Sequence, residues 1–152
     1  MMIRMTILFL CCMCTATSKA QITMAEPAEW TVIGELKTLG SMKAKMEYRV
    51  SGNDTIYFLF MKDFKKQEEP HYFGVKFRNT DNSFGKLYEL LKSFFLDENR
   101  KKKDYSKTFK LGEDMVNLQH YLLITGRGVM FSTKEGYINF TERDIDKLFG
   151  MR

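Results

Sequence analysis

From Met42 to Val50 the chain alternates without a break. Met42, Ala44, Met46, Tyr48 and Val50 are apolar, and Lys43, Lys45, Glu47 and Arg49 stand between them. Side chains on a strand point to opposite faces in turn, so strict alternation over this length means one buried face and one wet face. Such a strand needs partners on its edges and a layer over its apolar face. Ser51-Gly52-Asn53-Asp54 follows with turn chemistry, which predicts a hairpin.

Other strands fall around this one. Trp30 to Leu39 precedes it, closed by Gly40-Ser41. Ile56 to Met61 is apolar on both parities, as expected of a central strand covered on both faces. A charged loop, Lys62 to Pro70, leads to Tyr72 to Arg78. The period then changes. Phe84, Leu87, Tyr88, Leu91, Phe94 and Phe95 recur at three-and-four spacing, predicting a helix that ends near Asp97 to Asn99. Asp81, Asn82 or Ser83 can cap it through a side-chain oxygen.

The second half repeats the pattern. Thr108 to Leu111, Leu118 to Thr125, Val129 to Thr133 and Tyr137 to Phe140 read as strands. Gly126-Arg127-Gly128 and Lys134-Glu135-Gly136 supply turns. Thr141 with Asp144 resembles a capping box for a last helix presenting Ile145, Leu148 and Phe149. Strands in runs predict an α+β fold: a mainly antiparallel sheet of about seven to eight strands, with two helices packed on one face. Phe84-x-x-Leu87-Tyr88 matches Ile145-x-x-Leu148-Phe149, and Lys86 matches Lys147, which suggests a strand-strand-helix duplication.

The N-terminus is of another kind. Arg4 makes a basic start, Met5 to Cys14 an apolar stretch, and Ser18-Lys19-Ala20 a small-residue exit. This is the make-up of an export signal, with the cut between Ala20 and Gln21. The stretch is half of the roughly 20 apolar residues that a membrane anchor needs. A lipid-anchored cysteine is the lesser alternative, since bulky Leu10 precedes Cys11 where a small residue is wanted. The expected organisation is a signal over 1–20, a lead-in over 21–29 and a single α+β domain over 30–152. Cys11, Cys12 and Cys14 all leave with the signal, so the mature chain has no thiol for a disulfide, a metal or nucleophilic catalysis. It keeps 22 basic and 19 acidic residues, a net charge of +3. That balance and the compartment, periplasmic or extracellular, leave no nucleic-acid partner expected, and no transmembrane segment is expected in the mature chain.

No catalytic residue, metal site or cofactor is assigned. The six serines of the mature chain sit in no nucleophile elbow, and His71 and His120 lack a neighbouring ligand set. Gly126-Arg127-Gly128 lacks the Lys-Ser/Thr of a phosphate loop. Four carboxylate groupings could in principle hydrolyse a polymer: Glu68-Glu69, Asp97-Glu98, Glu113-Asp114 and Glu142/Asp144/Asp146. The one dense charge run, Arg100-Lys101-Lys102-Lys103, is the candidate contact for an anionic ligand, with Lys107 and Lys110 nearby. Aromatics crowd the first half, from Tyr48 through Tyr57, Phe58, Phe60, Phe64, Tyr72 and Phe73 to Phe77. Most are expected in the core. Tyr72 is the exception, turned outward by parity beside Lys76 and Arg78. The reading is a non-enzymatic binding or interaction module of the cell envelope, its partner an envelope protein or an anionic polymer. The alternative is a carboxylate-dependent hydrolase of an envelope or extracellular polymer.

Overall fold

The computed structural model describes residues 29–65, 69–123 and 126–151. The export signal, its cut between Ala20 and Gln21, the lead-in up to Ala28, and Glu68 lie outside the described residues. Within them the chain forms an α+β fold of two four-stranded antiparallel sheets and three α-helices. The first sheet comprises β1 (Thr31–Thr38), β2 (Ser41–Ser51), β3 (Asp54–Lys62) and β4 (Tyr72–Arg78) in that order. Helix α1 (Ser83–Lys92), a 3-10 turn (Ser93–Phe95) and α2 (Asp97–Arg100) follow. The second sheet comprises β5 (Ser106–Leu111), β6 (Asp114–Leu123), β7 (Gly126–Ser132) and β8 (Tyr137–Phe140), and α3 (Glu142–Leu148) closes the chain.

The eight strands divide into two sheets because the connection from β4 to β5 carries all of α1 and α2, while every other strand pair is joined by a turn or a short loop. Each half is thus a four-strand meander followed by a helix. Each half has four strands before its helix, where the suggested strand-strand-helix unit has two. The matched helix residues behave alike: Leu87 is 2% exposed and Leu148 is 1% exposed. Tyr88 and Phe149, also matched, touch each other with ring centroids 5.4 Å apart.

One core serves both sheets. Met46, Leu59 and Val75 from the first join Leu118, Phe131 and Ile138 from the second, all completely buried. The alternation in β2 is realised at Ala44 and Met46, both at 0% exposure, and fades at its end, where Val50 is exposed. The helices knit the halves together. Helix α3 follows the second sheet but packs on β1 and β2 of the first. The 3-10 turn behind α1 reaches across to β7. The predicted single helix breaks at Leu96, whose extended backbone (ψ 139°) separates that turn from α2.

Caps follow the sequence reading. Asn82 accepts from the Gly85 amide at 3.4 Å. Thr141 and Asp144 form a reciprocal box, with Thr141 N donating to Asp144 at 3.0 Å and Asp144 N to the Thr141 hydroxyl at 3.1 Å. Strand β6 begins four residues earlier than expected. Gly112, at φ +61°, and Glu113 make a tight hairpin from β5. That hairpin lies hard against β4: a Cβ on Gly112 would fall 2.0 Å from the Lys76 carbonyl oxygen.

Candidate functional site

Strands β3 and β4 sort their side chains by parity. Leu59, Met61, Phe73, Val75 and Phe77 enter the core. Ile56, Phe58 and Phe60 on β3 share the opposite face with Tyr72, Gly74, Lys76 and Arg78 on β4, where Phe58 pairs with Lys76 and Phe60 with Gly74. Phe58 and Phe60 therefore correct the expectation that most of the aromatics are core. Both are half-buried on the outer face. Apolar residues on both parities read as a strand covered on both sides. Among the described residues the outer covering is lateral, by aromatic neighbours in the same sheet. Tyr72 faces outward as its parity requires.

The outer rings form a row. Trp30 and Phe58 lie 5.8 Å apart, Phe58 and Phe60 5.7 Å, and Phe60 stacks on Tyr72 at 5.2 Å with planes 10° apart. Gly74 makes room, since a Cβ there would come within 2.4 Å of the Phe58 ring. Cations sit on the row. The Arg49 guanidinium is 4.9 Å from the Trp30 centroid, and Lys76 Nζ is 5.7 Å from Trp30 and 5.5 Å from Phe58. Arg49 Nε is buried with no hydrogen-bond partner among the described residues. The row opens onto a cavity of ≈ 740 Å³ edged by Phe58, Lys76 and Arg78 on one side and by Lys110 and Gly112 of the β5–β6 hairpin on the other.

The basic run does not form one patch. Arg100 ends α2 and lines a separate cavity of ≈ 520 Å³ with Arg127 and Arg143. Lys102 turns back, its Nζ 3.3 Å from Asn99 Oδ1 and 6.0 Å from the Tyr105 centroid. Lys101 and Lys103 are exposed. The loop is anchored beneath by Asn99, only 6% exposed, which donates to the Ser93 carbonyl at 2.9 Å and meets His120 Nε2 through its own carbonyl at 3.0 Å. His120 packs edge-on against Phe94, with Tyr105 beside it. It is a structural histidine.

The carboxylates are mostly engaged. Lys92 Nζ stands 2.6 Å from Glu142 and 3.0 Å from Asp146, and the Tyr88 hydroxyl donates to Asp146 at 2.9 Å. Burial and the bond to Asp146 raise the Tyr88 hydroxyl above its ordinary value. Burial by itself would lower the Lys92 ammonium, but Glu142 and Asp146 outweigh it and raise it. Burial by itself would raise the Asp144 carboxyl, but Lys43 at 2.8 Å and the Thr141 amide and hydroxyl hold it below the usual carboxylate range. Among the described residues, no group of three or more His, Cys, Asp and Glu is placed to hold a metal ion. No described helix is long and apolar enough to cross a membrane.

The Asp144 shift predicts an acid limb. A carboxyl depressed by folding contributes stability that is present above its unfolded pKa, about 3.9, and lost as pH falls through the lower folded value. Asp144→Asn should flatten the stability profile below about pH 4, in denaturant titrations over a pH series. Tyr88 and Lys92, both raised, act with the opposite sign: their contribution is present below their unfolded values and fades as pH rises through the folded ones. An unchanged acid limb in the variant would remove the role given to the Lys43–Asp144 pair.

Comparison with protein-family models, with curated proteins and with solved structures returned no match.

Proposed function

We propose that the chain is exported and serves as a non-enzymatic binding module of the cell envelope, holding an acidic polysaccharide against the outer face of its first sheet. The supporting observation is the row Trp30, Phe58, Phe60 and Tyr72 with Arg49 and Lys76 seated on it. Ring faces stack on the apolar C–H faces of sugars, and neighbouring cations take up acidic groups. The export half of the reading rests on the basic, apolar and small-residue segments of Met1 to Ala20.

The hydrolase alternative has less behind it. Glu142 and Asp146 do edge one cavity, but the Lys92 ammonium fills the gap between them. A carboxylate-dependent hydrolase needs that gap for the scissile bond and its water.

Affinity electrophoresis in gels carrying heparin, polygalacturonate or neutral dextran tests the binding reading. The protein should be retarded by the two acidic polymers and not by dextran. Trp30→Ala with Phe60→Ala should weaken the retardation about tenfold, or ~1.4 kcal/mol, and Lys76→Gln should reduce its dependence on salt. Equal retardation by all three polymers, unchanged in the aromatic variants, would reject the proposal. Mass spectrometry of the secreted protein should find an N-terminus at Gln21, and a chain starting at Met1 would reject export by cleavage.

A further inference from the structure

We propose that the cavity between α2, β7 and α3 is a second binding site, independent of the aromatic face, and that it takes the phosphate group of a phosphomonoester. Three arginines line it, each from a different element and each exposed. Arg100 is the last residue of α2, Arg127 lies at the start of β7, and Arg143 is in the first turn of α3. Their separation in the chain means that the fold, not a local charge run, brings them together.

Exposed arginines repel one another only weakly in water, but around one cavity they present positive charge to an incoming anion. Among the described residues their own ion pairing is slight. Among the described residues Arg100 pairs only with Asp97, 3.7 Å away and with a side chain 93% exposed, which is a weak pair. Arg127 and Arg143 make no ion pair among the described residues. Glu142 and Asp146 edge the same cavity and share Lys92, so three arginines and one lysine outweigh two carboxylates and the site keeps a net positive charge.

The chemistry that answers three arginines is a tetrahedral dianion. The guanidinium fork matches phosphate oxygens two at a time and keeps its charge at any physiological pH. At ≈ 520 Å³ the cavity is of the size that holds small molecules, and Phe95 gives it an apolar wall for the ester's carbon skeleton. The elements carrying the arginines are fixed from behind. Helix α2 is held through buried Asn99, and α3 by its capping box and by Lys43 on Asp144. The guanidinium groups therefore project from supports already in place, which lowers the cost of ordering the site.

The same phosphate chemistry comes from a soluble metabolite or from a lipid headgroup. Amide NMR spectra of the full chain, titrated with inorganic phosphate, glycerol 3-phosphate and phosphatidylcholine vesicles containing phosphatidic acid, separate the two. Saturable shifts confined to residues 100, 126–128 and 141–143 are expected with at least one of these probes. A response to the soluble probes marks a metabolite site, and a response to the vesicles only marks a membrane headgroup site. Arg127→Gln with Arg143→Gln should weaken binding of the responding probe at least tenfold. Lys101→Gln with Lys103→Gln, and Trp30→Ala, should leave it unchanged. The arginine and lysine positions are exposed and Trp30 is half-buried, and an unaltered thermal melt of each variant excludes a folding defect. Absence of saturable shifts with all three probes, or binding that survives the double arginine substitution, would overturn the site.

Discussion

A valine at position 34 is expected to destabilise the protein by about 3 kcal/mol or more, at the upper end of what overpacking costs. Gly34 lies in β1 opposite Met46. A Cβ there would fall 2.1 Å from the Lys147 carbonyl oxygen and 2.6 Å from that of Leu148. These are backbone atoms of α3, which cannot swing aside as a side chain can. Helix α3 would have to lift off the first sheet. It carries Ile145 and Leu148 into the core, and Phe149 behind it packs on Phe84 and Tyr88. Lifting it also strains the bond from Lys43 to Asp144. Strand propensity argues the other way, because valine is among the best strand formers and glycine among the worst. The sign of the result thus decides between propensity and packing. Urea denaturation measures it, with Gly34→Ala as the milder member of the series. A valine variant within about 0.5 kcal/mol of the parent would mean that α3 is not seated on Gly34 as described.

Local features were legible in the sequence because their causes are local. Strand β2 announces itself by alternation, and the box at Thr141 and Asp144 by spacing. Tyr72 takes its direction from the parity of its own strand. The features that were not legible depend on contacts between distant segments. Phe58 and Phe60 have the composition of a doubly buried strand. What sends them outward is the parity that takes Leu59 and Met61 into the core, and Gly74 across the ladder gives the Phe58 ring room to lie over the sheet. The helix between β4 and β5 leaves a periodic trace, but that it parts the strands into two sheets, and that α3 returns to β1, depends on pairings that no period reports.

The candidate binding residues show the same limit. Arg100 through Lys103 is the densest charge in the sequence, but adjacency along the chain is not adjacency in space. Lys102 is drawn back to Asn99, while Arg100 lines one cavity with Arg127 and Arg143, from segments read as a hairpin turn and an ordinary helix. Charge density located one member of the cluster. The other two required the fold.

Asp63→Ala is expected to cost about 3 kcal/mol, most of it at the seam between the two sheets. Asp63 belongs to a stretch that reads as a charged surface loop, yet its side chain is only 1% exposed. One carboxylate oxygen accepts from the Lys65 amide at 2.9 Å and from the Tyr137 amide at 3.1 Å. The backbone beside it makes the reciprocal link, with Phe64 N donating to the Tyr137 carbonyl at 2.9 Å. These bonds tie the end of β3 to the start of β8. Gly136 leaves the space, since a Cβ there would lie 2.7 Å from the carboxylate. Alanine removes the acceptor and leaves the Tyr137 amide without its partner at the seam, and that unmet donor is the main penalty. Asparagine keeps a carbonyl oxygen in the same place but loses the charge that strengthens both bonds, so Asp63→Asn should cost only about 1 kcal/mol. Hydrogen exchange gives the local readout. In the alanine variant the Phe64 and Tyr137 amides should lose protection before the centres of β2 and β6 do. If both amides stay protected, or if asparagine proves as costly as alanine, then the seam is held by the core beneath it and not by Asp63.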